Sequence, residues 1–285
     1  LEKGDVLGLI GPNGCGKTTS IMCMLSLLKY DSGTIEVFGK KDISNEYEIK
    51  KKIGIVPQEL AVFNNLTVKE NIDYFCGLYI SNKNERKRLV NEAIEFTGLQ
   101  SHEKMLEKKL SGGLKRRLNI ACGISHKPEL VILDEPTVAV DAQSRKFILD
   151  GIKNLAENGS SILYTTHYLD EAEYLCNKIS IMDNGKNILT GDMQTLINGV
   201  SVKEKITVVG FIKPEIISIL EKQDEVIAVE TKENQVTFNY STDTGNIKKL
   251  IYLLDENNVV YEEIFSKKPK LEDIFLEMTG KELRE

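Results

Sequence analysis

The chain has 285 residues, with 37 Lys and Arg against 43 Asp and Glu, and a net charge of −6 that argues against a nucleic-acid partner held by bulk electrostatics. No apolar run approaches the ~20 residues of a bilayer-spanning helix, and no signal peptide is recognised. Five dispersed cysteines (Cys15, Cys23, Cys76, Cys122, Cys176) without a C-x-x-C pair read as reduced thiols, neither a metal site nor a disulfide frame.

In chain order, DVLGLI (5–10) is a short apolar run that predicts a buried strand, followed by the glycine-rich stretch GPNGCGKTT (11–19). From Lys17 onward, Ile21, Met24, Leu25 and Leu28 share one helical face. DSG at 31–33 is a turn signal, and TIEVFG (34–39) and KIGIVPQ (52–58) are predicted strands. Residues 63–127 change character: TVKENIDYFCGLYI, NERKRLVNEAIEFTGL and the stretch after Ser111 read as helices. The strand pattern returns at LVILDEP (130–136), then a helix at 143–157, strand SILYTTH (161–167), a helix at 168–176, and strands ISIMD and NILT. Alternating strands and helices predict an α/β fold with a mainly parallel sheet, into which the helical block of 63–127 is inserted. After residue 198 the pattern resets to βαββαβ, which suggests a small ferredoxin-like α+β unit. The predicted domains are therefore 1–197 and 198–285. The last helix, LEDIFLEMTG, carries an apolar stripe (Leu271, Ile274, Phe275, Met278) that either docks on its own protein or forms an interface.

The chemistry concentrates at predicted strand ends. Gly11, Gly14 and Gly16 permit backbone angles that let successive amides wrap a phosphate, with Pro12, Asn13, Cys15 and Thr19 completing the loop. Lys17 supplies charge for the outer phosphates, and Thr18 offers a hydroxyl to magnesium. The loop opens a helix, whose N-terminal dipole favours the same anion. Strand LVILDE ends in two carboxylates: Asp134 is the expected magnesium partner, and Glu135 can polarise a water that attacks the γ-phosphate. His167 ends the strand predicted to lie beside Asp134, where a neutral imidazole could contact the γ-phosphate. Ser111, Gly112 and Gly113 open a helix of the inserted block, a second anion-binding terminus that serves the phosphates of a second chain more readily than its own.

GPNGCGKTT, Gln58, LSGG (110–113), LVILDEPT, Asp141 and His167, in this order and spacing, resemble the nucleotide-binding subunit of an ATP-binding-cassette (ABC) transporter, over about residues 1–195. The resemblance implies a P-loop NTPase core, an ATPase with ATP and magnesium (Mg2+) as cofactors, and a metal held by Thr18, Gln58 and Asp134. It implies that Gln58 senses the γ-phosphate, that Glu135 is the general base and His167 the switch histidine. Ser111–Gly113 become the signature that reaches across a dimer, and Asp141 the loop aspartate linking the two sites. The implied partners are a transmembrane permease subunit and a second copy or related cassette, with the protein peripheral to the cytoplasmic face of the membrane. The C-terminal unit resembles the drug- and antibiotic-exporter branch. Two alternatives stay open: a non-transport member of the family, and a nucleotide-gated interaction protein with 200–285 as its binding module. A GTPase is disfavoured, since no N-K-x-D motif appears (82–85 reads NKNE).

Three departures accompany the resemblance. Leu114 stands where many members have Gln, and VAVD (138–141) differs from the commoner small-Gly-Leu-Asp. The family stacks adenine on an aromatic residue well upstream of the phosphate loop, but here the chain opens on Leu1, ten residues before Gly11. Further N-terminal sequence is expected in the intact protein. Without the stacking, worth roughly 1–3 kcal/mol per base, weakened ATP affinity is expected.

Overall fold

Strand β1 (Val6–Ile10) sits in the middle of the main sheet, and its register fixes where the chemistry falls. A computed structural model of the chain describes residues 1–280. After β1 come helix α1 (Lys17–Met24), a short helix α2 (Tyr47–Lys50) and strand β2 (Ile53–Val56). Helices α3 (Val68–Gly77), α4 (Lys83–Phe96) and α5 (Gly112–Ile124) follow, then β3 (Leu130–Asp134), α6 (Ala142–Glu157), β4 (Ser161–Thr166), α7 (Leu169–Leu175), β5 (Lys178–Asp183) and β6 (Lys186–Gly191). The strands form one six-stranded sheet in the order β2-β3-β4-β1-β5-β6. Strands β2, β3, β4, β1 and β5 pair in parallel. Ile10 pairs with Thr166 and Asp134 with Thr165, so the carboxyl ends of β1, β3 and β4 lie side by side. That end of an open α/β sheet is where ligands bind.

Strands β1, β3 and β4 are buried on both faces, which is why they read as continuous apolar runs instead of alternating ones. Val6, Val131, Leu133, Ile162 and Tyr164 pack on one side with Ile148 and Ile152 of α6. Leu9, Ile132 and Leu163 pack with Ile21 and Leu25 around α1. The helical block has its own core, in which Val68 and Ile72 of α3 meet Leu89, Val90 and Ile94 of α4 and Leu118 of α5. Its helices start at sequence-encoded caps. Thr67 and Glu70 form a capping box at α3, and Asn82 caps α4 through the amides of Asn84 and Glu85.

Two expectations fail in the first half of the chain. TIEVFG (34–39) is not a strand: only an isolated bridge joins Val37 to Lys40, and Phe38 (φ 50°) and Gly39 (φ 77°) turn the chain sharply between them. Among the described residues no strand lies beside it, and a strand without a ladder partner is not stable. The helix after the phosphate loop stops at Met24, and Ser26 adopts φ 56°, so Leu28 leaves the apolar face and is 45% exposed.

The chain divides into two compact units, 1–188 and, among the described residues, 189–280. The boundary read from the sequence, 197/198, falls inside the second unit, within helix α8 (Met193–Gly199); residues 281–285 of the expected second domain lie outside the described residues. The second unit continues with β7 (Glu204–Val209), α9 (Pro214–Leu220), β8 (Val226–Lys232), β9 (Gln235–Tyr240), α10 (Asn246–Glu256), β10 (Glu263–Lys267) and α11 (Leu271–Thr279). Its antiparallel sheet runs β10-β7-β9-β8, the arrangement a βαββαβ order produces. The last strand forms four residues later than VVYEEIF predicts, and Val260 is left 87% exposed. Leu271, Ile274 and Phe275 of α11 are buried, and α11 packs on α8 of the same unit.

Candidate functional site

The six-residue loop between β1 and α1 (11–16) is shaped by its glycines. Gly14 (φ 79°) and Gly16 (φ 107°) hold left-handed conformations that strain an L side chain, and a Cβ on Gly11 would stand 2.2 Å from the Met182 carbonyl. Gly16 is the N-cap of α1 and supplies no side-chain cap, which suits the first turn to receiving an anion. Lys17 is buried, and its Nζ donates to the carbonyls of Gly11 (2.8 Å) and Pro12 (3.3 Å). Thr18 and Thr19 are exposed at the mouth of the loop, while Cys15 is buried beneath it.

Thr18 Oγ1 donates to Asp134 Oδ2 at 2.8 Å, across the intervening strand β4. A hydroxyl and a carboxylate so close to a phosphate loop are a hard oxygen donor set, and they fit a magnesium ion. The other Asp134 oxygen accepts from Thr165 Oγ1 at 2.5 Å, which fixes the carboxylate's rotation.

Glu135 follows at a strained backbone position, φ 47°, where non-glycine residues are uncommon and cluster at functional sites. Its amide donates to Thr165 Oγ1 at 3.0 Å and to the Thr165 carbonyl at 3.2 Å, which holds the strain in place. The turn aims a buried carboxylate at three groups. Lys17 Nζ lies 3.4 Å from Oε1, His167 Nδ1 lies 3.2 Å from Oε2, and Gln58 Nε2 donates to Oε2 at 3.4 Å. Residues from three other segments of the chain therefore converge on one carboxylate.

The serine–glycine segment lies elsewhere in the same unit. Ser111 is the N-cap of α5, accepting from the Leu114 amide, and Gly112 and Gly113 begin the helix. A Cβ on Gly113 would stand 2.6 Å from Ser144 Oγ and 3.2 Å from Asp141 Oδ2, so this terminus packs against the start of α6. Asp141 caps α6 through the Ser144 amide (2.9 Å), and that bond holds its carboxyl below the usual carboxylate range. In the loop before it, Ala139 has φ 59°. The structure thus joins Asp141 to the serine–glycine segment, and Lys17, Thr18, Asp134, Glu135, His167 and Gln58 to one another.

Sequence reasoning missed the residues that brace these groups. Thr165 touches both Asp134 and Glu135. Arg116 Nη1 donates to the Gln58 carbonyl (2.8 Å) and Asn119 Nδ2 to the Pro57 carbonyl (3.2 Å), so α5 grips the segment that carries Gln58. Thr165 had a signal: Thr165 and Thr166 are a polar pair inside an apolar strand, and both are buried. Arg116 and Asn119 share a face of a helix with nothing nearby in sequence to mark their target.

Residues 1–138 match the family model described as "ABC transporter". The chain is 38% identical to the linearmycin resistance ATP-binding protein LnrL of Bacillus subtilis (strain 168), over 100% of this chain and 93% of that protein. The chain belongs to the family of ABC transporter ATP-binding proteins. It is also 30% identical to the Nod factor export ATP-binding protein I of Sinorhizobium fredii, over 100% of this chain and 81% of that protein. Among solved structures, cbiO1 from Clostridium perfringens, part of an ABC transporter complex, superposes with a TM-score of 0.62 at 27% identity, covering 70% of this chain and 84% of that one. The protein is thus an ATP-binding subunit with the ABC ATPase fold, in the exporter-like branch. Among the described residues no helix is long and apolar enough to cross a membrane.

Proposed function

We propose that this ABC subunit hydrolyses ATP between two copies of itself and passes the resulting motion to a membrane-embedded export subunit. The observation that carries the reading is the convergence on Glu135 of Lys17, Gln58 and His167, next to the Thr18–Asp134 pair. Phosphoryl transfer to water needs positioning and charge neutralisation more than covalent chemistry. The loop amides and Lys17 hold the β- and γ-phosphates. Thr18 and Asp134 would hold magnesium, joined by Gln58, whose side chain here donates to Glu135, and the ion would supply charge neutralisation at the phosphates. Glu135 accepts the proton of the attacking water, and His167 and Gln58 orient that water and the γ-phosphate.

The position of Ser111–Gly113 supports the two-copy arrangement. The segment is bound to the start of α6 near Asp141, and its serine and bare amides suit a phosphate presented by another cassette. Closure on two ATP molecules and reopening after hydrolysis is the two-state motion. The grip of Arg116 and Asn119 on the Gln58 segment connects that motion to α5. The names of the relatives, linearmycin resistance and Nod factor export, support an export role, a separate membrane subunit and a position on the cytoplasmic face of a membrane.

The test is Glu135→Gln. ATP binding is retained, hydrolysis falls by orders of magnitude, and ATP-loaded dimers accumulate. A variant that turns over at the parent rate removes the base assignment.

A further inference from the structure

Glu171, on α7, makes no contact with the phosphate loop, yet it is among the most buried charged groups of the first unit, at 1% exposure. One carboxylate oxygen, Oε2, accepts from three hydroxyls: Tyr164 (2.7 Å), Thr137 (2.9 Å) and Thr166 (3.0 Å). The other oxygen pairs with Arg145 Nε at 2.6 Å. A buried carboxylate is tolerated only when it is paired and hydrogen-bonded, and here Oε2 is hydrogen-bonded while Oε1 is held by charge pairing alone, without an aligned hydrogen bond. Its partners are not a random selection. Thr137 lies two residues beyond Glu135. Tyr164 and Thr166 line the end of β4, with His167 next. Arg145 is in the first turn of α6, which Asp141 caps.

A chain of contacts runs from Arg145 to the imidazole. The Arg145 guanidinium lies over the Tyr168 ring at 4.0 Å, and the Tyr168 ring lies against the His167 ring with centroids 4.2 Å apart. The Tyr168 amide donates to Thr166 Oγ1 (2.9 Å), the same hydroxyl that donates to Glu171. His167 Nδ1 has no aligned hydrogen-bond partner, so contacts on the ring face hold the ring in place beside Glu135.

We infer that Glu171 is a positioning residue for hydrolysis. Through Arg145 and Tyr168 it fixes the His167 ring, and through Thr137 and Thr166 it ties the backbone after Glu135 to the backbone before His167. This rests on the reading of Glu135 and His167 as the hydrolytic pair. Glu171→Gln keeps the shape and removes the charge that pairs with Arg145, so the guanidinium loses the partner that holds it over the Tyr168 ring.

The experiment measures steady-state ATPase rates, equilibrium ATP binding and thermal melting for the parent, Glu171→Gln, His167→Ala and the double variant. Tyr168→Ala is included because its half-exposed side chain can be cut without opening the core. Glu171→Gln lowers kcat by roughly 10- to 100-fold, with KM and ATP affinity within twofold of the parent. The double variant is no slower than His167→Ala alone, because residues acting as a unit are not additive. Losses that multiply in the double variant, or a KM that rises with the kcat loss, overturn the inference and leave Glu171 structural. If Glu171→Gln melts far below the parent, Tyr168→Ala decides: the same kcat loss upholds the inference, and the parent rate overturns it. A parent that hydrolyses ATP and a Glu135→Gln variant that does not keep the hydrolytic reading intact whichever way Glu171 falls.

Discussion

Gly54 of β2 and Gly123 of α5 face each other at a place where two backbones nearly touch. A Cβ on Gly123 would stand 2.7 Å from the Ile55 carbonyl oxygen and 2.7 Å from Val56 Cγ2. Ordinary carbon–oxygen and carbon–carbon contacts begin near ~3.3 and ~3.5 Å, so Gly123→Ala is short by about 0.6 to 0.8 Å. The obstacle is largely backbone and cannot swing away, which puts the cost in the upper part of the overpacking range, about 2–3 kcal/mol. Alanine returns at most ~1 kcal/mol of helix propensity, and less near a helix end. Sterics win, and the net is a loss of about 1–2 kcal/mol. Gly151, inside α6, supplies the opposite case. Its Cβ would meet Phe96 at 3.6 Å, an ordinary contact, so there the propensity gain stands unopposed and Gly151→Ala stabilises by up to ~1 kcal/mol. Urea titrations compare the two variants with the parent. The midpoint falls for Gly123→Ala and rises for Gly151→Ala. A Gly123→Ala protein as stable as the parent refutes the claim that α5 and β2 are locked at van der Waals distance. That lock matters because the far end of α5 begins at Ser111, and Arg116 and Asn119 between them hold the segment of Gln58.

Three further outcomes follow from particular residues. Ala139 pays about 1–2 kcal/mol for its left-handed φ, partly offset by the ~0.5–1 kcal/mol of chain entropy that glycine would lose; Ala139→Gly therefore raises the melting temperature, by about 0.5–1 kcal/mol of stability. Thr165→Val frees Asp134 to rotate, so the magnesium concentration for half-maximal ATPase rises by roughly 10-fold or more while magnesium-free nucleotide binding holds steady. His126 is partly buried, stacked on Tyr79, with Nε2–H donating to the Ile53 carbonyl (3.2 Å), and desolvation holds its pKa below the ordinary value of 6.5. The unfolded chain therefore takes up the proton first: the contribution is complete above pH 6.5 and is lost as the pH falls below it toward the folded-state value. Replacing His126 by Gln flattens the acid side of a stability-versus-pH curve, and an unchanged slope shows that other groups set it.

The parts of the site that could be read from the sequence are those where chemistry and local structure coincide. Lys17, Thr18, Asp134, Glu135 and His167 each sit within two residues of a strand end or on the first turn of a helix, so the strand and helix predictions also placed them. TIEVFG was misread for the complementary reason. Its composition is that of a strand, but a strand is a property of two segments, and Phe38 and Gly39 turn instead. Glu171 and Arg145 were invisible because their partners are set by tertiary packing: a carboxylate and a guanidinium on two amphipathic helices look like solvated charges until Glu171 proves buried and Arg145 proves to be its partner. The left-handed φ of Glu135 and Ala139 had no sequence signal at all, since neither is glycine or asparagine.

The most direct test concerns the arrangement of two chains around the nucleotide. Cysteines are placed at Ser111 and Asn13 of the Glu135→Gln protein, and a short thiol-specific crosslinker is applied with and without ATP and magnesium. The account predicts a crosslinked dimer that forms only with nucleotide, joining the serine–glycine segment of one copy to the phosphate loop of the other. A protein that binds ATP under these conditions yet yields no crosslink between copies contradicts it.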